Sequence, residues 1–335
     1  MPIRMEQPRL DKSVGPFRRA LQYARYDWTR EMPKSKRVVT WVGILMQGYA
    51  IYCMVVRSLV WPLMWPRPIL VFGISSLIYI VGSGLMNGML TSEFFRKTQL
   101  EADQIAARQI QQTLQPGKLD DLPGYEVEAF YRPFREVGGD YFDVIELAGK
   151  RTLFAVADVS GKGMPAALLA ANIQALVRSS ANFEADPPML ARQINKHLSR
   201  YTPSDRFATA VFIVLSRDSG ELTYVNAGHN APIVFGSGSA IALEATGMPL
   251  GLFPKAAYEA GTTLLPPGGA LLVFTDGLTD SIRGENAEKR LCDALADSSG
   301  RTMSILKSLI DPEFNEDDVT ILLVKRGADA ASKRE

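Results

Sequence analysis

Two kinds of hydrophobic pattern divide the chain. Near its start, residues 38–56 and 69–90 are two runs without a single charge. Each is about 20 residues long, enough to cross a hydrocarbon core of ~30 Å as a helix. The stretch between them, Ser58 to Pro68, holds Trp61, Pro62, Trp65, Pro66 and Pro68. Proline breaks a helix and tryptophan favours a membrane interface, so the pattern predicts a transmembrane hairpin over 38–90. Gly82, Gly84 and Gly88 recur on its second arm. They mark either close helix packing or the ordinary glycine content of membrane helices. Thr91 to Gln115 then turns polar, with no Gly or Pro before Pro116. Ala102, Ile105, Ala106, Ile110 and Leu114 form one apolar stripe, which predicts a linker helix over 91–115. The stripe suits the seam of a parallel homodimer, a face packed on the domain that follows, or both.

From residue 116 the period shortens. Tyr125–Phe134, Tyr141–Ala148, Arg151–Ala157, Phe207–Leu215, Glu221–Val225, Pro232–Phe235, Ala270–Phe274 and Val319–Lys325 read as strands separated by glycine-containing turns. Met164–Ser180, Met189–Tyr201, Ala287–Ala296 and Thr302–Ile310 read as helices. Strands outnumber helices and do not alternate strictly with them, which predicts an α+β domain with antiparallel sheets. The division by residue is a basic segment 1–37, the hairpin 38–90, the linker helix 91–115, the α+β domain 116–327 and a tail 328–335.

Charge sharpens this picture. The net charge is +1, but residues 1–37 carry ten Lys/Arg against four Asp/Glu. Arg57 and Arg67 are the charges added before residue 90, so the remainder is net acidic. An acidic main domain argues against a nucleic-acid partner, and a basic flank suits an anionic membrane surface. By the positive-inside rule that flank places both long ends in the cytoplasm, with the hairpin in the inner membrane. Within it, Phe17, Ala20, Leu21, Ala24 and Trp28 share one helical face, as in a helix lying on the membrane or a solvated basic flank. A cleaved leader is not expected, because the first apolar run starts late and a second follows at once. Two cysteines, Cys53 and Cys292, make no disulfide framework.

The candidate chemistry lies in aspartates at strand ends. Leu153 to Ala157 feeds Asp158 and the turn Val159-Ser160-Gly161-Lys162-Gly163, and Leu271 to Phe274 feeds Thr275-Asp276-Gly277. Asp140 follows Gly138-Gly139, and Asp317-Asp318 opens the last strand. A single such aspartate is as readily a turn residue. A set of them is what a hard cation such as Mg²⁺ or Mn²⁺ requires, and no Cys/His cluster points to zinc.

In the order GGDYFD, ADVSGKGMPAALLAA, NAGHNAP, TDGLTDS, DDVTILLV, the chain from about Ala107 to Arg326 resembles the bacterial PPM/PP2C-type protein serine phosphatases of the RsbU/SpoIIE group. The resemblance implies a PPM-type α-β-β-α sandwich, two antiparallel sheets flanked by helices, with two Mn²⁺ or Mg²⁺ ions at the sheet edge. It implies that Asp158 bridges the ions beside the carbonyl of Val159, that Asp276 and Asp317 complete the second site, and that Asp140 is the upstream acidic ligand. Asp158 and Asp276 are the residues expected to carry catalysis. Water activated by the ions would attack phosphorus in line, with no phosphoenzyme. The implied substrate is a phosphorylated regulatory protein, an anti-sigma-factor antagonist in this group.

Three further residues stay open. Asp318 is either a ligand or the member of its pair that faces solvent. Lys162 is either a point charge for phosphate or a solvated turn lysine. His229, in Asn226-Ala227-Gly228-His229, is either a general acid or part of a structural turn, and the resemblance favours the turn. Gly268-Gly269 stands where the family commonly has Gly-Asp, and no motif supplies the His and Arg that eukaryotic relatives place around phosphate. The general acid is therefore not identified. Two other classes compete: a catalytically silent scaffold of the same fold, and a membrane sensor that binds a nucleotide. The first conflicts with the full set of acidic turns. The second lacks a Walker-type Gly-x4-Gly-Lys-Ser/Thr.

Overall fold

The computed structural model describes residues 34–60, 68–116, 122–181, 186–203, 205–236, 238–282, 286–296, 302–311, 313–314 and 316–328. Most of the basic segment, residues 61–67 of the hairpin connection, and the tail beyond 328 lie outside them. The chain falls into two compact units, Met1–Glu101 and Ala102–Glu335.

Helix α1 covers Lys34–Val60 in the first unit, and α2 covers Pro68–Leu114, its residues from 102 on counting with the second. The sequence suggested a membrane arm and a separate linker. One unbroken helix holds both, because nothing from Ile69 to Leu114 is a proline. Large apolar side chains stay exposed on both helices, among them Leu45 at 68%, Tyr52, Leu77 and Ile80. Of the recurring glycines, Gly82 meets a partner: a Cβ there would lie 3.4 Å from the carbonyl oxygen of Gly43 and 3.1 Å from Met46. Gly84 and Gly88 face open space. Among the described residues, no helix is long and apolar enough to cross a membrane. The expected pair of transmembrane helices is thus not shown. α1 takes in Lys34, Lys36 and Arg37 at its start and Arg57 near its end, and α2 runs on into Glu93, Arg96 and Lys97.

The second unit is a four-layer sandwich. One sheet has the strand order β1 (Tyr125–Arg132), β10 (Val319–Arg326), β9 (Ala270–Phe274), β6 (Ile233–Gly236), β7 (Ser239–Ala242). The other runs β2 (Tyr141–Leu147), β3 (Arg151–Val159), β4 (Ala208–Ser216), β5 (Glu221–Ala227), β8 (Gly261–Leu264). Every pairing is antiparallel. Helices α3 (Met164–Ala181) and α4 (Pro187–Tyr201) cover the β2–β8 sheet. The short α5 (Asp276–Asp280), then α6 (Ala287–Leu295) and α7 (Thr302–Ser308), lie on the side of the other sheet.

Three cores separate the four layers, and strand parity builds them. Leu153, Ala155, Ala157 and Val159 face α3 and α4, whereas Phe154 and Val156 face the opposite sheet. Leu322 and Val324 of β10 enter that same inter-sheet core, whereas Val319, Ile321 and Leu323 pack with α6 and α7. A strand buried on both faces has no polar face to show, so it reads as an unbroken apolar run. This is why the LFAVA and VTILLV segments carry no alternation. α3 buries Ala166, Ala170, Ile173, Val177 and Ala181, spaced three or four apart, and its small residues let it sit close to the sheet. The expected α+β sandwich of two antiparallel sheets flanked by helices is what forms.

Candidate active site

The parity that builds the inter-sheet core also delivers the carboxylates. In β3, Phe154 and Val156 point between the sheets, so two residues further on Asp158 continues the same face. The strand runs two residues beyond the expected Ala157, pairing Asp158 with Thr209 and Val159 with Ala208. Asp140 shares a face with Phe142 of β2. Stepping back from Leu322 by twos gives Thr320 and Asp318, and stepping on from Val273 gives Thr275. Asp276 follows as the first residue of α5. One open end of the sandwich thus collects acidic groups from four chain segments.

Asp140 is buried and doubly held. Thr275 Oγ1 and Thr320 Oγ1 donate to its Oδ2 at 2.8 and 2.6 Å. Burial, and then the charge of Asp158, push its pKa well above the usual carboxylate range. Burial, with the charges of Asp276, Asp317 and Asp318 added, pushes Asp158 itself up to about 7. Asp276 is raised by burial and by Asp317, against a partial pull downward from the Gly277 N–H and Lys162. Sequence reasoning missed Thr275 and Thr320. The signal was there, since each lies an even step from an inter-sheet residue beside a candidate aspartate.

The aspartate pair divides its work in the opposite way from a ligand facing in and a neighbour facing out. Asp318 is the buried member: its Oδ1 accepts from Phe134 N–H at 2.7 Å and its Oδ2 from Gly139 N–H at 2.5 Å. It ties the start of β10 to the loop that carries Asp140. That loop must be glycine, because a Cβ on Gly138 would lie 2.7 Å from Asp318 Oδ2 and 2.3 Å from the Tyr131 hydroxyl. Asp317 is the partly exposed member, and its Oδ2 forms an ion pair of 2.8 Å with Lys162 Nζ. Lys162 is thus a partly exposed turn lysine that carries an ion pair. Val159 ends β3 close to the same loop, its carbonyl oxygen 3.2 Å from where a Cβ on Gly139 would stand.

His229 lies in a buried turn. Asn226 accepts from the His229 N–H at 2.7 Å and donates to its carbonyl at 3.0 Å, and Nδ1 is 2.8 Å from Thr209 Oγ1. Burial lowers the imidazole to about 4, so it is neutral at pH 7 and carries no imidazolium proton to give. Asp143, three residues after Asp140, is bound by Arg178 of α3 at 2.6 Å and by the Tyr141 hydroxyl. It fastens β2 to the helix layer.

The linker helix reaches the same loop. Gln111 Nε2 donates to the Gly138 carbonyl at 2.7 Å, and Gly138 N–H donates to Gln111 Oε1 at 3.2 Å. Arg108 pairs with Glu136 at 3.2 Å, and Gln174 of α3 donates to the Leu114 carbonyl. The docking groups are polar. Ile105 and Ile110 of the expected stripe stay exposed.

Among the described residues, no group of three or more His, Cys, Asp or Glu side chains stands ready to hold one metal ion. The donor chemistry nevertheless suits a hard cation. The donors are carboxylates, they are forced together by two rigid sheets, and their mutual repulsion with burial holds Asp158 near 7. Mg²⁺ keeps several of its waters, so carboxylates need not converge to direct contact around it.

Comparison with known proteins agrees with this geometry. The chain is 28% identical over 258 residues to protein IcfG of Synechocystis sp., the match covering 65% of this chain and 40% of that protein. It is 26% identical over 234 residues to the phosphoserine phosphatase RsbU of Bacillus subtilis, covering 66% of this chain and 69% of RsbU. Among solved structures, the RsbU and RsbW domains of a Mycobacterium tuberculosis protein superpose with a TM-score of 0.56 at 29% identity, over 62% of either chain. Residues 148–327, more than half of the chain and the stretch that bears Asp158, Asp276 and Asp317, match the family model of Stage II sporulation protein E, and the chain belongs to that SpoIIE family.

Proposed function

We propose that the chain is a metal-dependent protein serine/threonine phosphatase, held at the inner membrane with its catalytic domain in the cytoplasm. The observation that carries this reading is the cluster at the sheet ends, where Asp158 is pushed to about 7 by burial and by Asp276, Asp317 and Asp318. Buried like charges of this kind persist at functional sites and are costly elsewhere. Asp140, Asp158, the Val159 carbonyl, Asp276 and Asp317 would hold two divalent ions, Mn²⁺ or Mg²⁺. Such ions activate a water for attack on phosphorus and offset charge on the phosphoryl oxygens.

The protein's own groups set the geometry. Thr275 and Thr320 fix Asp140, and Asp318 holds the Gly138-Gly139 loop against the start of β10. Neither thiol supports a phosphocysteine route: Cys53 lies on α1 and Cys292 on α6 against the third core. The substrate we favour is a phosphoserine or phosphothreonine on a regulatory protein, such as an anti-sigma-factor antagonist. The RsbU resemblance supports it, as does a site at an open end of the sandwich. The exposed Ile105 and Ile110 support a parallel homodimer along the linker helix.

The purified full chain is expected to hydrolyse p-nitrophenyl phosphate and a phosphoserine peptide with Mn²⁺, and to fall to background with a chelator. A well-folded chain inactive with both Mn²⁺ and Mg²⁺ would be the silent scaffold instead. Membrane attachment rests on the uncharged sequence of 38–56 and 69–90 and on the exposed apolar side chains of α1 and α2. A reporter fused after Glu335 should sit in the cytoplasm and one inserted near Pro66 outside. Both reporters in the cytoplasm would rule out the hairpin.

A further inference from the structure

Lys162 stands out among the groups around the carboxylates because its ammonium is used three times. Nζ lies 2.8 Å from Asp317 Oδ2, donates to the Glu316 carbonyl at 2.6 Å, and sits 5.3 Å from the centroid of the Phe134 ring. Phe134 is itself fixed, since its N–H donates to Asp318. Lys162 leaves a glycine-flanked turn directly after Asp158 and Val159, so the backbone that ends β3 also sets where this cation reaches. Its side chain is 39% exposed and that of Asp317 is 37% exposed. Both could therefore separate into water without opening a core.

We propose that Lys162 is a tethered counterion: it occupies the Asp276–Asp317 side of the cluster when no divalent ion is bound there, and it is displaced when one binds. The proposal rests on the metal-dependent reading above. An ammonium in contact with Asp317 would compete with a divalent ion held by that carboxylate. A doubly charged ion placed there would also repel it. Electrostatics of this kind act in both directions. Lys162 offsets the repulsion between Asp276 and Asp317 in the metal-free protein, and by the same contact it weakens the divalent ion that shares them.

The test is calorimetric titration of Mn²⁺ into the metal-stripped full chain, comparing the parent with Lys162→Met and Lys162→Arg. Removing the charge should tighten the weaker Mn²⁺ site by about tenfold, the equivalent of roughly 1.4 kcal/mol. Lys162→Arg keeps the charge and should stay within about threefold of the parent. Denaturation of the metal-free chains supplies a second readout: Lys162→Met should unfold more readily than the parent without Mn²⁺ and regain the difference with it. Equal Mn²⁺ affinity in parent and Lys162→Met, or weaker binding in the variant, overturns the inference while the two-metal reading stands. Absence of Mn²⁺ binding in every variant overturns both.

Discussion

Asp158→Asn is expected to abolish turnover and, in the same molecule, to stabilise the metal-free fold. The loss of activity follows from its place between the other carboxylates, and removing a charge from such a site costs at least about 100-fold in rate. The gain in stability follows from the sign of its shift. Folded, the carboxyl is held near 7 by burial and by Asp276 and the Asp317-Asp318 pair; unfolded, it returns to 3.8. Between those values the folded chain binds the proton and the unfolded chain does not. Stability therefore falls as pH rises through that window and stays reduced above it. His229 works the other way, since burial lowers it from 6.5 to about 4 and its contribution is lost as pH drops below 6.5. Comparing variant with parent cancels the histidine. Asn should raise metal-free stability by about 2 kcal/mol at pH 8, and by less at pH 5. Urea midpoints at the two pH values measure it. A variant less stable than the parent at pH 8, or one that retains near-parental turnover, refutes the assignment of Asp158.

Gly277→Ala should disable the site through sterics alone. A Cβ at Gly277 would stand 2.0 Å from the carbonyl oxygen of Asp318 and 2.9 Å from its carbonyl carbon. Both are backbone atoms at the start of β10, so no side chain can rotate away. Either α5 with Asp276 or the strand entry with Asp317 and Asp318 must move. Overpacking of this kind costs about 1–3 kcal/mol. It also separates the acidic groups that have to act together, so turnover should fall by more than about tenfold even where the fold survives. Gly84→Ala is the control, because no atom lies within 4 Å of the added carbon. If Gly277→Ala and Gly84→Ala behave alike in activity and stability, α5 and β10 do not need their close approach.

The site was legible where one segment carries its own signal. An apolar run that ends in Asp announces a strand aiming a carboxylate, and Asp158 and Asp276 stand where those runs place them. Signals that depend on distant segments were hidden. Lys162 reaches Asp317 across 155 positions of sequence, and neither residue marks the other. Which of Asp317 and Asp318 turns inward is decided by the Phe134 and Gly139 amides that receive the inner one. β7 and β8 were missed because they are short edge strands. Ser239–Ala242 is exposed along its whole length, and Gly261–Leu264 buries none of its residues fully. Neither writes an alternation into the sequence. That the apolar arm and the polar linker form one continuous α2 was also hidden, since a change from apolar to polar composition alters a helix's surroundings without ending it.

The position of β10 sets a schedule for synthesis. It comes after every other described strand in sequence, yet it lies between β1 and β9 and brings Thr320 to Asp140 and Asp318 to the Gly138-Gly139 loop. While a ribosome is still making residues before 319, β1 has no neighbour in its sheet and the Asp140 loop has no anchor. Long-range pairing of this kind is slow to form. The nascent chain therefore cannot assemble the acidic cluster until residues 317–326 have emerged and inserted between β1 and β9.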